Sequence, residues 1–243
     1  MKIAYIDPVS EIGYFEELVI EMRAYKETDT VLDYFCLEEG GDSLEYLTYE
    51  AVLGKAIIKK VKSLEAEYDA AIIGCFFDPF VEALKECCKD IVIVGVCEAA
   101  MKIAASLGKK ISIIAPQQKH AVIFEEIVHR YCPPQNLASI AFLDFHINQL
   151  QENPDSLTAE IRRQIIFTMK THMADVIVLG CTMETGQFRA LQRELEVPVI
   201  DSTVAALKYA EMMVSCRQKC GWTVSESGAY RTPPAEALQM YIK

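Results

Sequence analysis

YDAAIIGC (residues 68–75) and ADVIVLGC (174–181) decide the fold. Each is a short, apolar run that ends in Gly-Cys, and each carries an aspartate near its start, Asp69 and Asp175. The two cysteines, Cys75 and Cys181, stand 106 positions apart. The same offset lays IVIVGVCEAAMK (91–102) on VPVIDSTVAALK (197–208), with Lys102 on Lys208 and Ala99-Ala100 on Ala205-Ala206. The starts of the halves, KIAYIDP (2–8) and KISIIAP (110–116), agree at an offset of 108. Blocks that share one register over half a chain mark a duplicated unit, because chance likeness between Val- and Ile-rich strands does not reproduce paired Gly-Cys and paired Asp residues.

Around these blocks, β-branched runs alternate with helical stretches: VLDYFC (31–36), KISIIA (110–115), SIAFLDF (139–145) and VPVI (197–200) join those already quoted. Such alternation predicts parallel strands covered by helices. Leu47, Ala51, Gly54, Ile58 and Val61 repeat at three and four, as do Leu157, Ile161, Ile165, Met169 and Met173, so each stretch is expected to bury one helical face. The expectation is an α/β protein of two pseudo-symmetric, duplicated lobes, each with a four-stranded parallel sheet flanked by helices and with the active site between them. The first lobe is read as 1–97 plus 203–243 and the second as 98–202.

The chain of 243 residues can bury a sizeable core, and its 51% hydrophobic and 24% charged residues match a globular domain. Lys plus Arg number 24 against 35 Asp plus Glu, a net charge of -11, which repels phosphate backbones and anionic lipid. Neither nucleic acid nor a membrane is expected as a partner. No apolar run approaches the length of a spanning helix, and the first residues lead straight into a strand instead of a signal-peptide core, so a cytoplasmic location is expected. The nine cysteines include no CxxC pair, and His120, His129, His146 and His172 show no paired metal spacing; neither a disulfide framework nor a metal site is expected.

In open parallel sheets, ligands bind beyond the carboxyl ends of the strands, where following helices present N–H groups. Cys75 and Cys181 both fall there. Cys75 precedes Phe76-Phe77-Asp78-Pro79, in which Pro79 suits a first helical turn, and Cys181 precedes Thr182-Met183-Glu184. A helix N-terminus is expected to lower a thiol's pKa and make the sulfur a usable base. Two equivalent thiols facing one substrate carbon from opposite sides suit racemisation: one thiolate removes a proton next to a carbonyl and the other thiol returns one to the opposite face. This chemistry requires no cofactor.

With these residues in view, the chain resembles the aspartate/glutamate/hydantoin racemase superfamily over essentially residues 1–220. CFFDPF (75–80), VGVCEAAM (94–101) and VPVIDSTVAA (197–206) look most like the hydantoin racemase branch, and LGCT (179–182) is also similar to the amino-acid racemases. The resemblance implies Cys75 and Cys181 as the acid/base pair, Thr182 with its backbone N–H as a donor to a substrate oxygen, a small-molecule substrate, and assembly as a homo-oligomer.

The chain departs from both branches. Where hydantoin racemases usually carry Asn-Pro-Asn-Thr-Ser, it reads Asp7-Pro8-Val9-Ser10; where glutamate racemases carry a His after Cys-Thr, it has Met183 and then Glu184. Asp7 orients the neighbouring thiol, binds a substrate N–H, or serves as a helix cap, and Ser10 divides the same way. Phe76 is read as a wall of an apolar substrate pocket or as core. Glu98 is read as a helix cap in preference to a site residue. The tail after Cys220 is read as a subunit-contact arm or as a segment folded on its own lobe. The leading expectation is a cofactor-independent racemase of a hydantoin-type or amino-acid substrate. The alternatives are an aspartate/glutamate racemase proper, a thiol-dependent isomerase such as a maleate isomerase, an arylmalonate decarboxylase, and a non-catalytic two-lobed binding protein.

Overall fold

The computed structural model describes residues 1–10, 15–143 and 154–242. Contacts divide the chain into two compact units, Met1–Gly95 with Leu207–Lys243, and Val96–Ala206. In the first unit, β1 (Lys2–Ile6), β2 (Val31–Phe35), β3 (Ala70–Ile73) and β4 (Val92–Gly95) form a parallel sheet in the order β2-β1-β3-β4. In the second, β5 (Ile111–Ala115), β6 (Leu137–Phe142), β7 (Val176–Leu179) and β8 (Val199–Asp201) repeat that order as β6-β5-β7-β8. The expected α/β architecture is therefore present twice. The last two residues of the SIAFLDF run lie outside the described residues.

Strand composition explains the layers. β3 and β7 are buried along their whole length, as parallel strands covered on both faces must be. The helices are α1 (Phe15–Arg23), α2 (Leu47–Leu64), α3 (Val81–Cys87), α4 (Val96–Leu107), α5 (Ala121–Tyr131), α6 (Pro154–His172), α7 (Phe188–Leu195), α8 (Ser202–Cys220) and α9 (Ala235–Ile242). In the first unit Ile57 and Val61 of α2 and Leu84 of α3 pack with Ile6 and Ile73 of the sheet. In the second, Ile161 and Ile165 of α6 and Leu191 of α7 pack with Ile114 and Leu179.

The aligned aspartates have a structural role that recurs in each unit. The Lys2 N–H donates to the Asp69 carboxylate and the Lys110 N–H to the Asp175 carboxylate, both at 2.7 Å. In return the Asp69 N–H donates to Lys2 O and the Asp175 N–H to Lys110 O, both at 2.8 Å. Each aspartate thereby pins the start of a central strand to its neighbour and sets the sheet register.

Two helical faces differ from expectation. The buried residues of α2 are Leu53, Gly54, Ile57 and Val61, whereas Leu47 is 63% exposed. Apolar residues run round much of this helix, so periodicity alone selects the wrong edge of the stripe. In α6 the expected face is buried at Leu157, Ile161 and Ile165, but the helix ends at His172, and Met173, with φ 57, is exposed. The tail folds on its own unit: Leu238 of α9 packs against the first core, and Lys89 Nζ donates to Tyr230 O. Among the described residues, no helix is long and apolar enough to cross a membrane.

Candidate active site

In the first unit the chain leaves β3 through Gly74, whose N–H donates to Ile6 O at 2.8 Å. A Cβ on Gly74 would lie 2.6 Å from the Tyr5 ring and hydroxyl, so any side chain here would require the buried Tyr5 ring to shift. Half-buried Cys75 follows, and its carbonyl accepts the Asp78 N–H at 3.0 Å. Asp78 and Phe80 then adopt left-handed conformations, φ 49 and 58. Two such residues in three are uncommon outside glycine and delay the helix. Consequently α3 starts at Val81 with Phe80 as its N-cap, and Pro79 does not open it as the sequence reading expected.

The surroundings of Cys75 also reverse the expected direction of its pKa. Burial pushes the thiol up; the Phe77 N–H favours the thiolate, but nearby Asp7, Asp78 and Glu50 oppose it. The resting sulfur therefore carries its proton. A helix N-terminus cannot offset this, since α3 begins six residues beyond Cys75 and is only seven residues long.

Asp7, directly after β1, is buried and acts on the Cys75 thiol. Burial holds its carboxyl well above the usual carboxylate range despite a hydrogen bond from the Val9 main chain. Ser10 serves the adjoining loop: its Oγ donates to Gly40 O at 2.9 Å and its N–H to Gly41 O at 3.0 Å. Phe76 is buried, 4% exposed. The structure thus places Asp7 with Cys75, while Ser10 is engaged by the Gly40–Gly41 main chain.

The second unit repeats the path. The Gly180 N–H donates to Ile114 O at 2.7 Å, and a Cβ there would lie 2.6 Å from the same oxygen. Half-buried Cys181 is extended, φ -143 and ψ 137, and caps the single 3-10 turn Thr182–Glu184. Its carbonyl accepts the Glu184 N–H at 3.0 Å, as that of Cys75 accepts Asp78. Gly186, φ 89, makes the reversal, and α7 begins at Phe188. Thr182 is buried on this turn, beside Cys181. Here again the thiol precedes a short turn, with the α-helix several residues away.

Two residues near this turn carry structure that motif reading missed. Asp201, at the end of β8, accepts the Thr203 N–H at 3.0 Å and the Val204 N–H at 3.1 Å, capping α8. It also accepts the Gly186 N–H at 2.9 Å, which ties the cysteine turn to the neighbouring strand end. Glu184 is fully buried, and among the described residues neither carboxyl oxygen reaches hydrogen-bond geometry with a partner. Burial and Asp201 hold its carboxyl well above the usual range, outweighing the Cys181 and Gly180 main chain, which favours the anion. The aligned blocks contained the signal for both, because an offset of 106 lays Asp78 on Glu184 and Gly95 on Asp201. Glu98, the third residue of α4, lies buried in that helix's first turn.

Among the described residues, no group of three or more His, Cys, Asp and Glu side chains is arranged to hold a metal ion, and the nine cysteines form no disulfide. A groove of ≈ 900 Å³ runs between the Leu37–Asp42 loop and α2; Gly40 and Gly41, which engage Ser10, line it, whereas Asp7, Cys75, Phe76, Cys181 and Thr182 do not.

Comparison with known proteins agrees with this architecture. The profile of the Asp/Glu/Hydantoin racemase family matches residues 3–210. A hydantoin racemase of Rhizobium meliloti is 29% identical over 196 residues, covering 80% of this chain and 79% of the relative. One of Paenarthrobacter aurescens is 28% identical over 235 residues, covering 96% and 98%. The solved structure of an allantoin racemase from Klebsiella pneumoniae superposes with a TM-score of 0.88 at 27% identity, covering 96% of this chain and 94% of the other. A family profile spanning both units, together with a fold shared over nearly the whole chain, means that this protein belongs to the Asp/Glu/Hydantoin racemase family and is an isomerase of the racemase type.

Proposed function

We propose that the protein inverts the stereogenic carbon of a hydantoin-type substrate by two-base proton transfer between Cys75 and Cys181, without a cofactor. The observation that carries this reading is the duplicated turn: each unit ends its third strand in Gly-Cys and closes a hydrogen bond of 3.0 Å onto the cysteine carbonyl. A single Gly-Cys at a strand end is ordinarily a buried small residue, but retention of the whole turn twice supports a paired task.

In the proposed reaction one cysteine thiolate takes the proton from the carbon adjacent to a carbonyl, and the electron pair moves into the carbonyl to give an enolate. The other thiol donates its proton to the opposite face of that carbon, restoring the carbonyl. The product is the enantiomer, one sulfur has gained a proton and the other has lost one, and no net redox change occurs. The raised Cys75 thiol fits the donor form in the resting protein. Thr182 is the proposed donor of a backbone hydrogen bond to the developing enolate oxygen. The substrate class is supported by the relatives, two named hydantoin racemases and one allantoin racemase.

The test uses single enantiomers of 5-substituted hydantoins, allantoin, aspartate and glutamate in D2O, followed by optical rotation and loss of the α-proton signal. Racemisation with deuterium uptake is expected on a hydantoin-type substrate, and Cys75→Ser and Cys181→Ser should each lower the rate by about 10²–10⁴-fold. Full activity in either variant, or racemisation without solvent exchange, would overturn the mechanism. Turnover of the amino acids alone would transfer the substrate assignment to them.

A further inference from the structure

Cys87 closes α3 and Cys88 caps it, the Cys88 N–H donating to Leu84 O at 2.8 Å. The two sulfurs lie 3.7 Å apart, within the range of an S–H···S hydrogen bond, although successive residues of a helix point about 100° apart. At Cys88, with φ -114 and ψ 107, the chain has left the helix. Packing alone does not account for the pair. The offset of 106 lays Cys87-Cys88 on Arg193-Glu194 of α7, so the repeated architecture is built at this place without a sulfur.

The surroundings favour charge on one sulfur of the two. The Lys62 ammonium of α2 donates to Cys87 O at 2.9 Å and to the Glu65 carboxylate at 2.6 Å. The hydrogen bond from Cys88 and the Lys62 ammonium hold the Cys87 thiol below its ordinary value, against burial and Glu65. The same hydrogen bond and burial push the Cys88 thiol up. Cys87 is also the more exposed, 5% against 1% for Cys88, and it adjoins the half-buried Lys62. One sulfur is thus disposed to attack and the other to follow. We propose that Cys87 and Cys88 form a peroxide-reactive vicinal dithiol, which a hydroperoxide oxidises to a vicinal disulfide and small thiols restore.

In the first step the Cys87 thiolate attacks one peroxide oxygen. An S–O bond forms, the O–O bond breaks, and the departing oxygen takes up a proton, leaving a sulfenic acid on Cys87. In the second step the Cys88 thiol gives up its proton and attacks the sulfenic sulfur. The S–S bond forms, the S–O bond breaks and water leaves. The two thiols together have lost two electrons and the peroxide has gained them. Two small thiols reverse the change by exchange through a mixed disulfide and become a disulfide themselves. Adjacency in the chain keeps the bond labile. Consecutive Cα atoms are about 3.8 Å apart across a trans peptide, closer than the roughly 4.4–6.8 Å usual between bridged cysteines, and strained disulfides are the readily reduced ones. The pair therefore suits a reversible change and not a structural cross-link. Neither sulfur belongs to the Cys75 or Cys181 turn, so the inference is independent of the racemase mechanism.

The experiment titrates the folded, fully reduced protein with hydrogen peroxide, blocks the remaining thiols with iodoacetamide in denaturant, and digests with trypsin for mass spectrometry. Cleavage after Lys85 and Lys89 releases ECCK (86–89), which carries both sulfurs and no others. The exposed Cys220 serves as the internal reference. ECCK without alkyl groups and lighter by two hydrogens should become the main form before Cys220 is half oxidised, and dithiothreitol should return it to the doubly alkylated form. In Cys88→Ser, dimedone should trap a sulfenic acid on Cys87, whereas Cys87→Ser should leave Cys88 labelled about tenfold less or lower, as the weaker thiolate character of Cys88 requires. Cys88→Ala and Cys87→Ala replace any serine variant that does not fold. ECCK still doubly alkylated when Cys220 is half oxidised, an oxidised pair that dithiothreitol does not restore, or equal dimedone labelling of the two variants would overturn the proposal.

Discussion

After β3 the turn sets its acid, Asp78, against a glycine, Gly95; after β7 the equivalent acid, Glu184, meets a second acid, Asp201. The strand before each turn differs in the opposite sense, since Asp7 follows β1 while Ala115 holds the matching place at the end of β5. The hydrogen bonds that frame the two cysteines match: Gly74 and Gly180 donate at 2.8 and 2.7 Å, and both cysteine carbonyls accept at 3.0 Å. Beyond them the paths part, through left-handed Asp78 and Phe80 in one unit and left-handed Gly186 in the other, and the charges have been redistributed. Two thiols on equivalent turns consequently have different electrostatic surroundings, and in the proposed two-base reaction the two sulfurs would be tuned separately in this way.

The difference can be broken or sharpened experimentally. The largest expected effect concerns Cys75 itself: because burial and three carboxyl groups keep it protonated, its alkylation rate should rise about tenfold per pH unit past the ordinary thiol value near 8.5. A plateau near that value, measured by peptide-resolved mass spectrometry, would contradict the raised thiol. Next, Gly95→Ala places a methyl against the Asp78 carboxyl and should destabilise the protein by about 1–3 kcal/mol, as overpacking of a filled site does. Denaturant unfolding would measure it, and an unchanged midpoint would show that the Asp78 turn yields freely. Smallest is Asp201→Ala, which removes the cap of α8 and the link to Gly186 and should cost about 1–2 kcal/mol. That loss should be partly offset at alkaline pH, where Glu184 no longer faces an anion; equal losses at acid and alkaline pH would mean that the two carboxyls do not interact.

Much of the fold was legible because repetition is a stronger signal than propensity. The register shared by the Gly-Cys and Asp-bearing blocks anticipated two sheets of one strand order, and the paired Asp69 and Asp175 prove to be strand anchors in both. The cysteine positions at strand ends were legible for the same reason. Less visible were the details that depend on packing. Leu47 follows a helical stripe, yet the sheet covers the adjoining edge with Leu53 and Ile57. Pro79 is a sound helix starter, but the left-handed Asp78 and Phe80 postpone α3. Ser10, read as a substrate-binding or a capping residue, donates its hydroxyl to Gly40 O, a contact 30 positions away that no local spacing reveals.

By itself, then, the sequence determined the duplication, the α/β alternation and the two Gly-Cys strand ends, because these are local patterns repeated at a constant spacing. Tertiary structure alone decided the ionisation of Cys75 and Glu184. Desolvation and the approach of Asp7, Asp78 and Asp201 come from residues that are remote in the chain or turned inward by the fold, and no spacing rule encodes how much water a folded side chain loses.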